Sequence, residues 1–296
     1  ITNEAGEVVT RGGWIANWIG AIDFAGGTAI HINAGTAALA LALVVGPRIG
    51  FGSRPMRPHN LTLVMLGAAL LWFGWFGFNA GSALGANNTA AVAWVNTLGA
   101  TAAAMLAWLA VEKFRDGHAT SLGAASGIVA GLVGITPAAG SVSPVGAMVI
   151  GLLAGVACAY AVGLKYKFGY DDSLDVVGVH LVGGLVGTLA IGFLADPASP
   201  AGVAGVFYGS WDQLWRQFVP AVAVMVYSFV VTYLIALLIK KTIGWRISTA
   251  DELGGIDLAE HSEVGYDLSP VYYSSKVQRT LVLSADDLPQ PEKIGV

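Results

Sequence analysis

Five stretches of the chain, residues 24–47, 61–111, 117–164, 176–194 and 217–239, contain no Asp, Glu, Lys or Arg. Apolar runs of this length predict helices that cross a bilayer, because about 20 residues are needed to cover roughly 30 Å of hydrocarbon. The run 61–111 must hold two spans, broken at the turn-rich Gly85-Ala86-Asn87-Asn88, and 117–164 two more, broken at Thr136-Pro137-Ala138-Ala139-Gly140-Ser141. Seven spans are expected, near 20–46, 60–84, 89–111, 121–137, 144–166, 176–195 and 217–240, in an all-α polytopic membrane protein. Within them glycine recurs every fourth residue (Gly123, Gly127, Gly131; Gly151, Gly155; Gly183, Gly187). Such stripes predict close helix packing, which small residues allow inside a membrane.

Composition agrees: 55% of the 296 residues are hydrophobic and 11% charged, against roughly 25% charged in a soluble domain. Before residue 247, ten of twelve basic residues fall in alternate loops, at Arg48, Arg54, Arg57, at Lys113, Arg115, at Lys165, Lys167 and at Lys240, Lys241, Arg246; only Arg11 and Arg216 face the other way. Basic loops are cytoplasmic, so the N-terminal segment is expected outside and the C-terminus inside a plasma (inner) membrane. After Arg246 the pattern collapses: residues 247–296 carry nine acidic and three basic residues, a cytosolic tail whose last thirty residues are expected to be disordered. The chain thus divides into a transmembrane domain over 1–246 and the tail over 247–296. A net charge of −4 with no basic run argues against nucleic acid, and Cys158 alone excludes a disulfide framework or a Cys-based metal site. The chain opens at Ile1 with no Met and no basic n-region, so no signal peptide is expected and it reads as a fragment of something longer.

His31 and His180 lie inside predicted spans, where an ionisable group is a functional candidate by default. They share a frame: Asp23 and Asp172 each precede a His by eight residues, as Asp-x7-His. The two copies run through the membrane in opposite directions. Eight residues at 1.5 Å rise would place each ring about 12 Å from its Asp, bringing the imidazoles together near the midplane of an inverted repeat. Facing imidazoles could share a proton, with their outer nitrogens left for a small solute that exchanges hydrogen bonds and protons. Two unrelated histidines bonded to backbone would be the plainer alternative; a bis-histidine haem has no other support in the sequence. In the second span Phe78 and Ser82 are four apart and share a face, an aromatic surface for a cation beside a hydroxyl acceptor.

Asp23-Phe-Ala-Gly-Gly-Thr-x-x-His31-Ile-Asn33, Gly74-Trp-Phe-Gly-Phe78-Asn-Ala-Gly-Ser82, Gly134-Ile-Thr136-Pro-Ala and Asp175-x-x-Gly-Val-His180 closely resemble the ammonium transporter (Amt/Mep/Rh) family, in its bacterial Amt branch and in the style of actinobacterial members. The resemblance runs from residue 12 to about 268. It implies a homotrimer of eleven-helix subunits, each with a pore between two inverted five-helix repeats, and makes the seven spans helices five to eleven. His31 and His180 then match the twin pore histidines, Phe78 the inner of two stacked phenylalanines, and Ser82 the serine of an external ammonium-recruiting site. Asp23 matches an aspartate tied to recruitment and site stability; Trp75 and Thr136 match positions along the pore, and Asp172 and Asp175 structural positions near it.

Helices one to four are absent, and with them the outer phenylalanine and the tryptophan of the recruiting site; Trp14 and Trp18 lie in the wrong frame to replace the latter. The tail matches in Gly244-Trp-Arg246-Ile-Ser and Gly255-Ile-Asp257-Leu-x-Glu-His261, with His261-Ser262-Glu263 where His-Gly-Glu is usual, and nothing matches from Val271 onward. In the family this tail communicates between subunits and meets a PII-type signal protein. The expected function is transport of ammonium or ammonia, and of methylammonium, with no enzyme activity, cofactor or metal. An ammonium sensor signalling through the tail is the alternative; a Rh-like channel for neutral gas is disfavoured by Phe78, Ser82 and the Amt-style tail.

Overall fold

Polar side chains at the predicted breaks start the next helix. In the computed structural model, which describes residues 13–266, Asn87 accepts from the Ala90 N–H at 3.0 Å to open α3 (Asn88–Asp116). Ser143 accepts from the Gly146 N–H at 3.2 Å ahead of Pro144, which heads α5 (Pro144–Ala161). Both satisfy backbone donors that a helix start leaves unpaired. Asn60 and Thr120 do the same for α2 (Leu61–Gly81) and α4 (Ser121–Ile135). α1 (Asn33–Val45) and α7 (Val182–Leu194) each continue a π-helical turn, Gly27–Ile32 and Val177–Leu181. The short α6 (Leu164–Phe168) comes after α5, and α8 (Asp212–Thr242) completes the bundle. Among the described residues there is no strand, only an isolated bridge between Val142 and Ala195.

Among the described residues, six helical segments are long and apolar enough to cross a membrane: Gly27–Val45, Leu61–Gly81, Asn88–Asp116, Pro144–Phe168, Val177–Leu194 and Asp212–Thr242. The seventh expected span is shorter than predicted. α4 has 15 residues, about 22 Å of helix, because the chain leaves it at Thr136 for a turn. Residues 131–142 are all buried, and the turn's carbonyls are satisfied within the protein, Ala139 and Val142 by the Asn96 amide at 2.9 Å each. Irregular backbone is tolerated at membrane depth only when covered in this way. The first span also starts later than residue 20, since Gly20 and Gly26 adopt positive φ (76° and 111°) and delay the helix to Gly27.

The glycine stripes let α4 and α5 lie against α3. A Cβ at Gly131 would stand 2.7 Å from Thr101 Cα, and one at Gly155 would stand 2.9 Å from Ala104 Cα. On the other side α8 is fastened to α1, with Ser228 Oγ donating to the Asn33 carbonyl and Lys240 Nζ to that of Val44, at 2.8 and 2.9 Å. A separate compact unit begins after Arg246. Its described residues form α9 (Thr249–Gly254), capped by Ser248, and α10 (Ile256–His261). The disorder expected of residues 267–296, and the extension from Val271, lie outside the described residues.

Candidate functional site

Each Asp of the repeated frame folds back onto the turn that carries its histidine. Asp23 Oδ2 accepts from the Thr28 and Ala29 N–H groups at 3.1 and 2.9 Å. Asp172 accepts from Val176 N at 2.9 Å through Oδ1, and from Val177 and Gly178 N at 2.8 and 3.3 Å through Oδ2. The expected eight residues of unbroken helix between Asp and His are therefore not what the frame builds. The carboxylate sits at the head of a π-helical turn, the wider winding that recurs at functional sites, and the His lies one residue before that turn ends in both copies.

The two turns bring the rings together. His31 Nδ1 and His180 Nδ1 are 3.2 Å apart, with ring centroids at 5.3 Å and planes tilted by 38°. At that distance one nitrogen must carry the proton and the other accept it. His31 is 2% exposed, and its other nitrogen, Nε2, is enclosed with no hydrogen-bond partner in the protein. A buried polar atom without a partner is costly, so this one is set to meet something that is not part of the chain.

Around His31 the aromatic residues of α2 form a wall. Trp75 stacks on the imidazole at 5.4 Å and 16°, and Phe78 lies 6.4 Å from it and 5.1 Å from Trp75. Trp75 Nε1 donates to Thr136 Oγ1 at 2.9 Å, which ties the wall to the buried turn after α4. Ser82 Oγ donates to the Phe78 carbonyl at 2.8 Å; its proton is used within α2, leaving the oxygen as an acceptor. Thus the expected residues His31, His180, Phe78, Trp75 and Thr136 form one contiguous constellation. Ser82 extends it along α2, while Asp23 and Asp172 shape it from the turns. Asp175 and His180 both line a cavity of about 560 Å³, whose wall also includes Arg48, Arg54, Arg57 and Lys165. Burial pushes the Asp175 carboxyl above its ordinary range, against the pull of Lys165.

Several participants were not predicted. Asn79, fully buried, donates to Thr97 Oγ1 at 2.9 Å and lies 3.3 Å from Thr136 Oγ1. Its place four residues after Trp75, on the same helical face, was the available signal. The Thr28 and Thr188 hydroxyls meet at 3.2 Å across 160 residues of sequence, which no local pattern announces. A third addition extends the frame to Asp-x7-His-x3-Gly, since Gly35 and Gly184 each come four residues after a histidine. A Cβ at Gly35 would fall 2.7 Å from Leu181 Cα, and one at Gly184 would fall 3.2 Å from His31 Cβ. Each glycine therefore makes room for the opposite histidine-bearing segment.

Comparison with known proteins places these features in context. Residues 6–266 match the Ammonium Transporter Family. An ammonium transporter of Mycobacterium tuberculosis, an actinobacterium, is 62% identical over 271 residues, covering 89% of this chain and 57% of the relative. The chain thus spans a little over half the length of that relative. Among solved structures, Candida albicans Mep2 superposes with a TM-score of 0.77 at 34% identity, covering 89% of this chain and 63% of that one. A structure described as a sensor Amt protein gives a TM-score of 0.78 at 33% identity, covering 86% and 63%.

Proposed function

Because this chain belongs to the ammonium transporter family, we propose that the protein moves ammonium or ammonia, and methylammonium, across the membrane through a narrow pore that the two histidines line. The observation that carries this reading is the Nδ1 to Nδ1 contact with His31 Nε2 enclosed and unpartnered. Such a pair can pass a proton between rings and still offer a nitrogen to a solute that exchanges hydrogen bonds.

The route begins where aromatic faces and the Ser82 oxygen offset part of a cation's dehydration. Ammonium gives up its proton at the constriction behind Phe78, because an isolated charge in an apolar lumen costs far more than a neutral amine. Ammonia then passes the two imidazoles, which carry the proton separately. Potassium has no proton to give and is refused. The same reading makes the working unit a homotrimer of eleven-helix subunits in the plasma membrane, with the tail cytosolic and available to a PII-type protein.

The test is uptake of labelled methylammonium, and the associated current, by proteoliposomes holding the protein expressed from its complete gene. Saturable flux driven by membrane potential supports transport of net charge; tight ammonium binding without flux rejects transport. The likeness to a sensor Amt protein favours one second reading, in which the site is occupied rather than traversed and the tail reports occupancy. That outcome would support it.

A further inference from the structure

Lys165 is a nearly enclosed cation in the membrane domain that the transport scheme does not use. Its side chain is 11% exposed. Nζ donates to the Asp172 carbonyl at 3.1 Å and to Asp175 Oδ1 at 2.6 Å, and lies 5.5 Å from the Tyr166 ring centroid. Both acceptors belong to one turn. Asp175 in that turn has φ 59°, a left-handed conformation that a residue with a Cβ holds only when its surroundings fix it. From the same turn the Asp172 carboxylate takes the first three N–H groups of the segment that carries His180, and the Asp175 carbonyl takes the Val179 N–H at 2.8 Å. An unbroken series of short polar contacts thus runs from Lys165 to the residue preceding His180.

We infer that Lys165 is a positioning residue for His180: its ammonium fastens the 172–175 turn and thereby holds the second imidazole against the first. Any consequence for transport rests on the reading given above. Among the described residues no cation grips the first copy in this way; there Phe24 N and Ala25 N donate to the carbonyls of Pro137 and Thr136 at 3.0 and 3.2 Å. Arg48 also reaches the second copy, pairing with Asp171 through Nε and Nη2 at 2.8 Å each. That pair lies one residue before the turn and is 41% exposed at the arginine, so it anchors the loop without setting the 172–175 backbone.

The experiment is amide hydrogen exchange on the protein from its complete gene in lipid nanodiscs, comparing Lys165→Met with the parent, alongside methylammonium uptake. Lys165→Met is expected to speed exchange over residues 172–181 by about tenfold and leave 23–32 unchanged. Maximal uptake is expected to fall about fivefold with little change in half-saturating concentration, and Lys165→Arg to recover part of both. Asp175→Asn removes the charge that pairs with Lys165 while keeping an acceptor oxygen, and is expected to reproduce the localised exchange at a smaller size, which decides the matter if Lys165→Met does not fold. Unchanged exchange over 172–181, or an equal rise across all helices, would overturn the inference. If the parent protein conducts nothing, the transport reading fails while the exchange result still decides the role of Lys165.

Discussion

The two copies of the Asp-x7-His frame reach one geometry by different chemistry. Around the first, the holding groups beyond Asp23 are neutral: backbone carbonyls of the turn after α4, and Gln217, which accepts from Ile22 N at 2.7 Å and donates to Ile22 O at 2.6 Å. His31 is sealed beneath Trp75. Around the second, two cations from other elements, Arg48 and Lys165, pair with the Asp171 and Asp175 carboxylates, and Lys165 also donates to the Asp172 carbonyl. His180 is only partly buried and adjoins a cavity. A neutral hydrogen-bonded frame is indifferent to salt, whereas pairs with an exposed partner are screened by it. The lesson is that pseudo-symmetry in the backbone does not extend to the forces that maintain it, and the second histidine is the one open to ionic conditions.

The sharpest test of this contrast is substitution of the histidines themselves. His31→Ala is expected to lower uptake more than tenfold, a barrier of about 1.4 kcal/mol or more, and to weaken ammonium-over-potassium discrimination. His180→Ala should have the same direction and a smaller size, because its ring is less enclosed. Equal uptake and equal discrimination in His31→Ala and the parent would remove the paired-ring mechanism.

Next in size are the caps. Asp172→Ala strands three N–H groups, two of them on buried residues, and Asp23→Ala strands two. At about 1–3 kcal/mol for each buried group left unpaired, Asp172→Ala should lower the thermal midpoint in detergent more than Asp23→Ala does. The reverse order would mean that the second copy's cations compensate for its cap. Trp75→Phe ranks below both: it removes the bond to Thr136 but keeps an aromatic ring on His31, for about 1 kcal/mol by the same measurement.

The smallest expected effect comes from pH. The hydrogen bonds of Arg48 hold the Asp171 carboxyl below its ordinary value of 3.8. Its stabilising contribution is therefore complete above that value and is lost as pH falls through the lowered one. Asp23 is shifted the other way, raised chiefly by burial despite the Ala29 and Thr28 N–H groups. Its ionisation costs stability as pH rises from the ordinary value through the raised one. Acidification from about pH 5 to about pH 3 should thus lower amide protection, taken relative to intrinsic exchange at each pH, at Arg48, whose N–H donates to the Asp171 carboxylate, while leaving that of 23–31 undiminished. Parallel changes in both places would contradict the contrast.

Much of the architecture was legible in the order of residues. Charge-free runs fix where helices cross because lipid cannot solvate a charge or an open backbone group, and the breaks at Asn87 and Ser143 carry side chains that cap the next helix. The glycine spacing announced close packing, and the repeated Asp-x7-His frame announced a pair of rings. The shortness of α4 was not legible, since an apolar run looks alike whether it continues as helix or turns inside protein; only Asn96, reaching across from α3, reveals that the turn can be satisfied. Nor were the roles of Asn79, Thr188 and Lys165 visible, because each partner lies on another segment.

The sequence alone thus determined the membrane-crossing helices and the residue types at the site, because hydrophobicity and local hydrogen bonding act over a few neighbours. The tertiary structure alone decided the contact between the rings, the enclosed nitrogen of His31 and the cationic grip on the second turn. Those depend on which distant segments meet, and a π-helical turn or a strained Asp175 persists only where such meetings hold it.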